Sequence, residues 1–143
     1  MQKTVGNILA YKGQEIWSIP SDMSVYDALS MLAEKNIGAL MVVDDGVLVG
    51  IVSERDYARK VILANKSSRE TLVSEIMTAD PVTVTSGDTV GACMGLMTEN
   101  RFRHLPVVDD GELKGVVSIG DIVRAVIDEQ KFLIEQLEAY ITG

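Results

Sequence analysis

The feature that most constrains this chain is an internal repeat. Aligned with itself at an offset of 65 residues, Ser24 to Ile62 pairs with Thr89 to Ile127 without a gap, and 16 of the 39 positions are identical. Two copies are too few for a solenoid, which needs about three or more units to bury its faces. The repeat therefore predicts one fold built from two related halves.

Each half begins with the same two predicted elements. A short apolar strand comes first, at Ile16 to Ile19 in one half and at Val82 to Val84 in the other. An amphipathic helix follows, with Ser24 or Thr89 at its N-cap. The helix in each half shows apolar residues at helical spacing, which favours one face packed on a core.

A β-hairpin and a second helix complete each half. The hairpin strands are predicted at residues 40–43 and 47–52, and again at 105–108 and 113–117. Asp-Gly pairs at 45–46 and 110–111 supply residues that tolerate positive φ in a tight turn. The second strand then ends at Ser53 or Ser118, which can cap the next helix. The predicted order is strand, helix, strand, strand, helix (βαββα). The fold class is therefore mixed α/β, and more narrowly α+β.

Helices are also predicted outside the two βαββα units. One covers about residues 4–10, one lies near Leu72 to Met77, and a long one continues toward the C-terminus. The predicted parts are residues 5–65 for the first repeat, 66–128 for the second and 129–143 for a C-terminal extension. The last helix carries an apolar stripe, which either covers the chain's own core or forms a dimer contact: Ile127, Ile134, Leu137 and Ile141.

Composition excludes some classes of partner. The formal net charge of −8 and the lack of a basic run oppose binding to nucleic acid. The longest apolar stretches, such as Gly38 to Val43, are too short to span a membrane, and no signal region begins the chain. We therefore expect a cytoplasmic location, with no membrane partner. The single cysteine, Cys93, cannot form an internal disulfide, and is either an inert core residue or a redox group.

The most specific pattern is Gly-h-Val-Ser-x-x-Asp, where h is aliphatic, at residues 50–56 and 115–121. The serine stands where a helix begins, beside free backbone N–H groups that attract phosphate, and the aspartate lies one turn in. Such an aspartate can accept hydrogen bonds from paired sugar hydroxyls. A single copy is equally an ordinary capped helix, but two copies in register favour a nucleotide.

An enzyme is not predicted, and no catalytic residue is assigned. The chain lacks the Gly-rich nucleotide loops, the Gly-x-Ser-x-Gly elbow and the His-Glu-x-x-His zinc motif. His104 is the one histidine and has no cysteine or paired carboxylates near it in sequence, so no metal site is predicted. Trp17 either packs on the sheet or stacks on a base.

The duplicated unit, the Val-Val-Asp-Asp-Gly hairpin and the doubled motif together resemble a tandem pair of cystathionine β-synthase (CBS) domains, a Bateman module. The resemblance covers nearly all of residues 5 to 128. It implies two βαββα repeats packed with pseudo-twofold symmetry, two clefts and a homodimer. The runs at 55–60 and 138–143 are similar to stand-alone bacterial CBS-pair proteins. Family members commonly bind AMP, ADP, ATP, NAD or S-adenosyl compounds and regulate a partner.

The resemblance also implies roles for individual residues. In one cleft Ser118, Arg103 and His104 would contact phosphate and Asp121 the ribose, although His104 is alternatively a plain strand-edge residue. The adenine of that cleft would lie against Ile19, Pro20, Met23 and Ala28. In the other cleft, which uses the first motif, the expected residues are Ser53, Asp56, Gly38 and Ala39, with Arg55, Arg59 or Lys60 for charge and Val84, Asp88 and Cys93 for adenine.

These expectations lead to one main functional hypothesis. The chain is predicted to be a regulatory adenine-nucleotide sensor in signal transduction, whose occupancy is read by an unidentified effector protein. The alternative is a structural CBS pair that dimerises without a nucleotide.

Overall fold

The computed structural model describes residues 3–13 and 16–142, which form two compact units. The first-repeat unit comprises residues 16–82 and 111–113. The second-repeat unit comprises the described residues 3–13, 83–110 and 114–142. Gly143, the last residue of the predicted C-terminal extension, lies outside the described residues.

The elements follow the predicted order in both repeats. In chain order they are α1 Val5–Lys12, β1 Ser18–Ile19, α2 Val25–Lys35, β2 Ala39–Asp44, β3 Val47–Ser53, α3 Glu54–Tyr57, a π-helical turn Ala58–Ile62, α4 Val73–Ile76, β4 Thr78–Ala79, α5 Val90–Asn100, β5 His104–Asp109, β6 Glu112–Ser118 and α6 Ile119–Thr142. The predicted mixed helix and strand class is confirmed.

The first-repeat unit is built on a four-stranded sheet in the order β1-β2-β3-β4. β1 runs parallel to β2, and the other neighbours are antiparallel. Asp45 and Gly46 have φ values of 50° and 79°, as predicted for the tight turn between β2 and β3. The buried faces of β2, β3 and α2 form an apolar core that includes Leu40, Val42 and Val52.

The second-repeat unit repeats the hairpin with β5 and β6, again with positive φ at Asp110 and Gly111. Its predicted first strand at residues 82–84 is shorter than expected and consists of one parallel bridge, from Val84 to Val107. Val84 is buried, but Val82 is exposed, and Pro81 before it has no N–H to donate to a ladder. The sheet therefore gains one paired residue at this edge rather than three.

Helix α1 packs into the core of the second-repeat unit, although the predicted division placed residues 5–12 with the first repeat. Thr4 caps the helix and forms a capping box with Asn7. The apolar side chains of Val5, Ile8 and Leu9 then lie in the same cluster as the buried residues of α5, β5 and β6. Burial of this face holds α1 on a repeat that is distant in sequence.

Two predicted helices differ from the structure. The helix predicted to follow Ser53 is a four-residue α-helix and then a π-helical turn that ends at Ile62. The view that the C-terminal stripe covers the chain's own core is wrong. Ile127, Ile134, Leu137 and Ile141 are 45%, 54%, 54% and 80% exposed, because α6 buries a different face, with Ile122 and Ala125, and only near its beginning.

Candidate functional site

The two Ser-x-x-Asp motifs adopt the same local geometry. In the second-repeat unit the Ser118 N–H donates to Asp121 Oδ2 at 2.8 Å, and the Asp121 N–H donates to Ser118 Oγ at 3.2 Å. In the first-repeat unit the corresponding distances are 2.9 Å and 3.3 Å, for Ser53 and Asp56. Each pair is a reciprocal cap that satisfies two helix-start N–H groups. The aspartate is thereby held at the beginning of the helix.

The motif glycine is required by close packing rather than by a turn. A Cβ on Gly115 would lie 2.8 Å from Leu9 Cδ2, and a Cβ on Gly50 would lie 2.5 Å from Met77 Sδ. The buried Leu9 side chain therefore packs directly against the strand backbone at Gly115, and the half-buried Met77 side chain does so at Gly50. Each glycine stands two residues before the buried valine of its motif.

Lys12 is a site residue that the sequence did not indicate. Its Nζ donates to Asp121 Oδ2 at 2.7 Å and to the Val116 carbonyl oxygen at 3.0 Å. A basic residue in the last turn of a helix is common, so no local signal distinguishes Lys12. It reaches the motif because α1 packs beside β6.

Lys60 has the matching position in the first-repeat unit. Its Nζ lies 3.4 Å from Asp56 Oδ1 and donates to the Ile76 carbonyl oxygen at 2.9 Å. This lysine is one helical turn from Asp56, so the sequence spacing could suggest the pair. Both motif aspartates thus have an ammonium group beside them, supplied by different elements.

The predicted basic pair lies next to the second motif. The Ile119 N–H, at the start of α6, donates to the Arg103 carbonyl oxygen at 2.8 Å. In the first-repeat unit the Glu54 N–H bonds the Gly38 carbonyl oxygen, and Ala39 pairs with Ser53 across the sheet. The structure therefore places residues 38–39 and 103–104 beside the motifs, and the two environments differ in charge.

His104 is half-buried, and its pKa lies below the ordinary value. Burial is the main cause, and the ammonium of Lys12 and the guanidinium of Arg103 lower the pKa further, against an opposing effect of Asp121. The lowered pKa favours the neutral form of the imidazole at pH 7. It can donate one hydrogen bond to a ligand, while positive charge comes from Lys12 and Arg103.

Asp121 remains ionised for a definite reason. Partial burial of the carboxyl group raises its pKa, but the hydrogen bond from Lys12, followed by that from the Ser118 backbone, outweighs burial and leaves the pKa lowered. A carboxylate in this state can accept hydrogen bonds from hydroxyl groups and cannot donate.

The residues predicted to contact adenine are mostly core residues. Ile19 and Ala28 are buried in the first-repeat unit, where Pro20 is exposed and Met23 is half-buried. Trp17 packs against the same core, with Lys35 Nζ 4.2 Å from its ring centre. Each predicted set of cleft residues draws on both units.

In the second-repeat unit Val84 and Cys93 are also buried. Burial, followed by the charge of Asp88, raises the pKa of the Cys93 thiol, which fits the inert core interpretation. Asp88 is half-buried and accepts a hydrogen bond from the Thr85 N–H at 2.8 Å. Of the predicted arginines near the first motif, Arg55 is half-buried and Arg59 exposed.

The structure contains a second repeated serine–aspartate pair that was not predicted from the sequence. The Ser21 N–H donates to Asp44 Oδ1 at 2.9 Å, and the Ser86 N–H donates to Asp109 Oδ1 at the same distance. Both serines and both aspartates obey the 65-residue offset, so the repeat itself contained the signal. The bonds fasten the start of each hairpin turn to the loop before α2 or α5.

The described residues offer neither a membrane-spanning helix nor a metal-binding cluster. None of the helices described is both long and apolar enough to cross a membrane. Within the same residues, no cluster of three or more His, Cys, Asp or Glu side chains is arranged to hold a metal ion. The cytoplasmic location stays a prediction.

Comparison with known proteins gives a consistent result. The family model described as "CBS domain" matches twice, at residues 11–63 and 73–128. A mitochondrial CBS domain-containing protein of Arabidopsis thaliana, CBSX3, is 43% identical over 98% of this chain and 72% of its own length. Other relatives are far longer: the chain covers 20% of CBSCBSPB3 from the same plant, at 36% identity.

Solved structures agree in fold. A putative signal-transduction protein with CBS domains from Burkholderia ambifaria is 50% identical, with a TM-score of 0.85 over 90% of this chain and 96% of that one. CBSX2 in complex with AMP is 31% identical, with a TM-score of 0.71 over 88% and 97%. The CBS domain pair of MJ0100, bound to 5′-methylthioadenosine and S-adenosyl-L-methionine, is 30% identical, with a TM-score of 0.80 over 90% and 99%.

Proposed function

The chain belongs to the CBS domain family, and on that premise we propose that it is a regulatory module that binds an adenine nucleotide and reports its occupancy to a partner protein. The observation that carries the proposal is the doubled Ser-x-x-Asp cap with an ammonium group beside each aspartate. Similar proteins bound to AMP or to S-adenosyl and methylthioadenosine compounds support this class of ligand.

Asp121 is suited to bind the ribose in the second-repeat unit. Among the described residues, its contacts with Lys12 and with the Ser118 N–H fall on Oδ2. Oδ1 can then accept hydrogen bonds from the two sugar hydroxyls. Asp56 is proposed for the same role in the first-repeat unit, where its Oδ2 bonds Ser53 and its Oδ1 lies 3.4 Å from Lys60 Nζ, so a ribose there would share Oδ1 with the lysine.

A phosphate group fits the charges around Asp121. Lys12 and Arg103 are cationic, and the neutral imidazole of His104 can add a hydrogen bond. Phosphate is favoured by such groups, whereas the sulfonium of an S-adenosyl compound is repelled by them. We therefore favour AMP, ADP, ATP or NAD over S-adenosyl compounds as the regulatory ligand of this unit. The first-repeat unit has Gly38 and Ala39 instead and would depend on Arg55, Arg59 or Lys60.

Isothermal titration of nucleotide-stripped protein tests the proposal. AMP, ATP, NAD and S-adenosylmethionine are titrated into the wild-type chain, Asp121→Asn and Asp56→Asn. A hydrogen bond to a charged group contributes about 1.5–3 kcal/mol, so loss of the carboxylate at an occupied site weakens binding about tenfold or more.

Asp110→Asn is the matched control, because it removes one negative charge from an exposed turn residue whose positive φ asparagine accepts. It should bind like the wild type. No heat with any of the four compounds, or equal weakening by the control, would contradict the proposal.

A ligand-free structural role is the second candidate, and one observation favours it. Lys12 and Lys60 already neutralise Asp121 and Asp56, so the motifs are stable without a ligand. Under this alternative the chain acts as a dimerisation module, and none of the four compounds raises its thermal unfolding temperature.

Effector recognition, a homodimer and a cytoplasmic location belong to the same proposal. A pull-down from cell extract with and without the bound nucleotide tests the effector step. A partner retained equally in both conditions would show that occupancy is not read.

A further inference from the structure

Helix α6 carries a coiled-coil seam that its own chain leaves uncovered. Ile127, Ile134 and Ile141 are spaced seven residues apart, and so are Val123, Gln130 and Leu137. The two series alternate at intervals of four and three, which is the a and d pattern of a coiled coil with isoleucine at a. Each of the six side chains is exposed.

The second half of α6 needs a partner. Every described residue from Gln130 to Thr142 is exposed, over roughly 20 Å of helix. An isolated helix of this length is marginal in water, and its stability normally comes from packing of an apolar face. Leu133 and Tyr140 widen the exposed apolar stripe beside the a and d positions.

From this pattern we propose that the occupant is α6 of a second copy of the chain, in antiparallel orientation. Reversal places Ile127 against Leu137 of the second copy, and Ile141 against its Val123. All of the a positions then meet d positions, so the seam is complementary to itself. Gln130 is the single polar core position and meets Ile134, at some cost in stability.

Charge supports the antiparallel direction. The e positions beside the seam are Arg124, Lys131 and Glu138, so the flank is basic at its beginning and acidic at its end. In the antiparallel register Arg124 of each copy faces Glu138 of the other, which gives two attractive pairs, while the two Lys131 side chains face each other and give one repulsive pair. A parallel pair would bring these groups against apolar g positions instead, with no compensating charge.

The mass of the full chain in solution tests the proposal, measured by light scattering after size-exclusion chromatography. We expect an even number of wild-type chains, half that mass for Ile134→Glu, and the wild-type mass for Gln136→Glu. The control adds the same charge at an exposed position off the seam. Both positions are exposed, so both variants should fold, as circular dichroism will show.

A monomeric wild-type chain would assign the stripe to a different protein and overturn the proposal. Equal masses for Ile134→Glu and the wild type would overturn it too, because an assembly held by another surface would then suffice.

Disulfide trapping tests the direction. Oxidation should link the double variant Val123→Cys/Ile141→Cys into covalent dimers, whereas Ile141→Cys alone should not be linked. Within one helix the two positions are roughly 27 Å apart, too far for an internal bridge. Efficient linking of Ile141→Cys alone would overturn the antiparallel arrangement.

Discussion

Lys12 Nζ lies 2.7 Å from Asp121 Oδ2, although the two residues are 109 positions apart in sequence. The ion pair joins the last turn of α1 to the start of α6 and brings a second cation toward Arg103 and His104. A ligand that uses Asp121 must therefore bind beside Lys12. Under the proposed function, Lys12 and Arg103 are the cations through which this unit would discriminate between charged and neutral ligands.

Lys12→Met should weaken AMP and leave adenosine nearly unchanged. The ammonium attracts phosphate but also competes for the carboxylate that would hold the ribose. Because the Lys12 side chain is partly exposed, the expected loss for AMP is about three- to tenfold. Titration of both compounds checks this, with exposed Lys66→Met as the charge-matched control. Equal losses for AMP and adenosine would contradict a phosphate contact.

The single histidine offers a direct measurement of the same electrostatics. Burial, Lys12 and Arg103 lower the pKa of His104, so its midpoint should lie below that of a free histidine. Lys12→Met removes one cause and should raise the midpoint. NMR titration of the one imidazole signal measures both values. An unchanged midpoint in Lys12→Met would mean that the ammonium does not lie near His104 in solution.

The free energy of unfolding should decrease in acid because Asp121 becomes protonated. Its pKa is lowered in the folded protein, so the unfolded state binds the proton more readily, and the stabilisation is complete above the unfolded pKa. This stabilisation is lost as pH falls from about 5 through the folded pKa. Urea unfolding should show Asp121→Asn less stable than the wild type at pH 7, with the difference shrinking toward pH 3. A constant difference at all pH values would refute this linkage.

Two glycine substitutions should have opposite effects on stability. Gly115→Ala forces the buried Leu9 side chain to move and should destabilise the fold by about 1–3 kcal/mol. Gly91→Ala in α5 has no neighbour within 4 Å of the new Cβ and should stabilise by about 0.5–1 kcal/mol through helix propensity. Urea unfolding of both variants measures the difference. Equal effects would show that Leu9 does not pack on Gly115.

The sequence by itself determined the motifs and most of the elements, because these depend on contacts within a few residues. The Asp45-Gly46 turn follows from tolerance of positive φ, and the Ser118 and Asp121 cap follows from the needs of a helix start. Repetition at a fixed offset then made the CBS family recognisable. The Lys60 and Asp56 pair was not predicted, although their spacing of one helical turn is a local signal for it.

Tertiary structure alone decided which distant groups meet. Lys12 reaches Asp121 because the apolar face of α1 is buried against Leu105 and Val117 rather than near its own neighbours in sequence. Burial also lowers the pKa of His104 and encloses Cys93, and neither effect can be derived from residue order. The exposed stripe of α6 has a local periodicity, but only the fold shows that the chain's own core does not cover it. Local chemistry fixes what each segment is, while packing fixes what each segment touches.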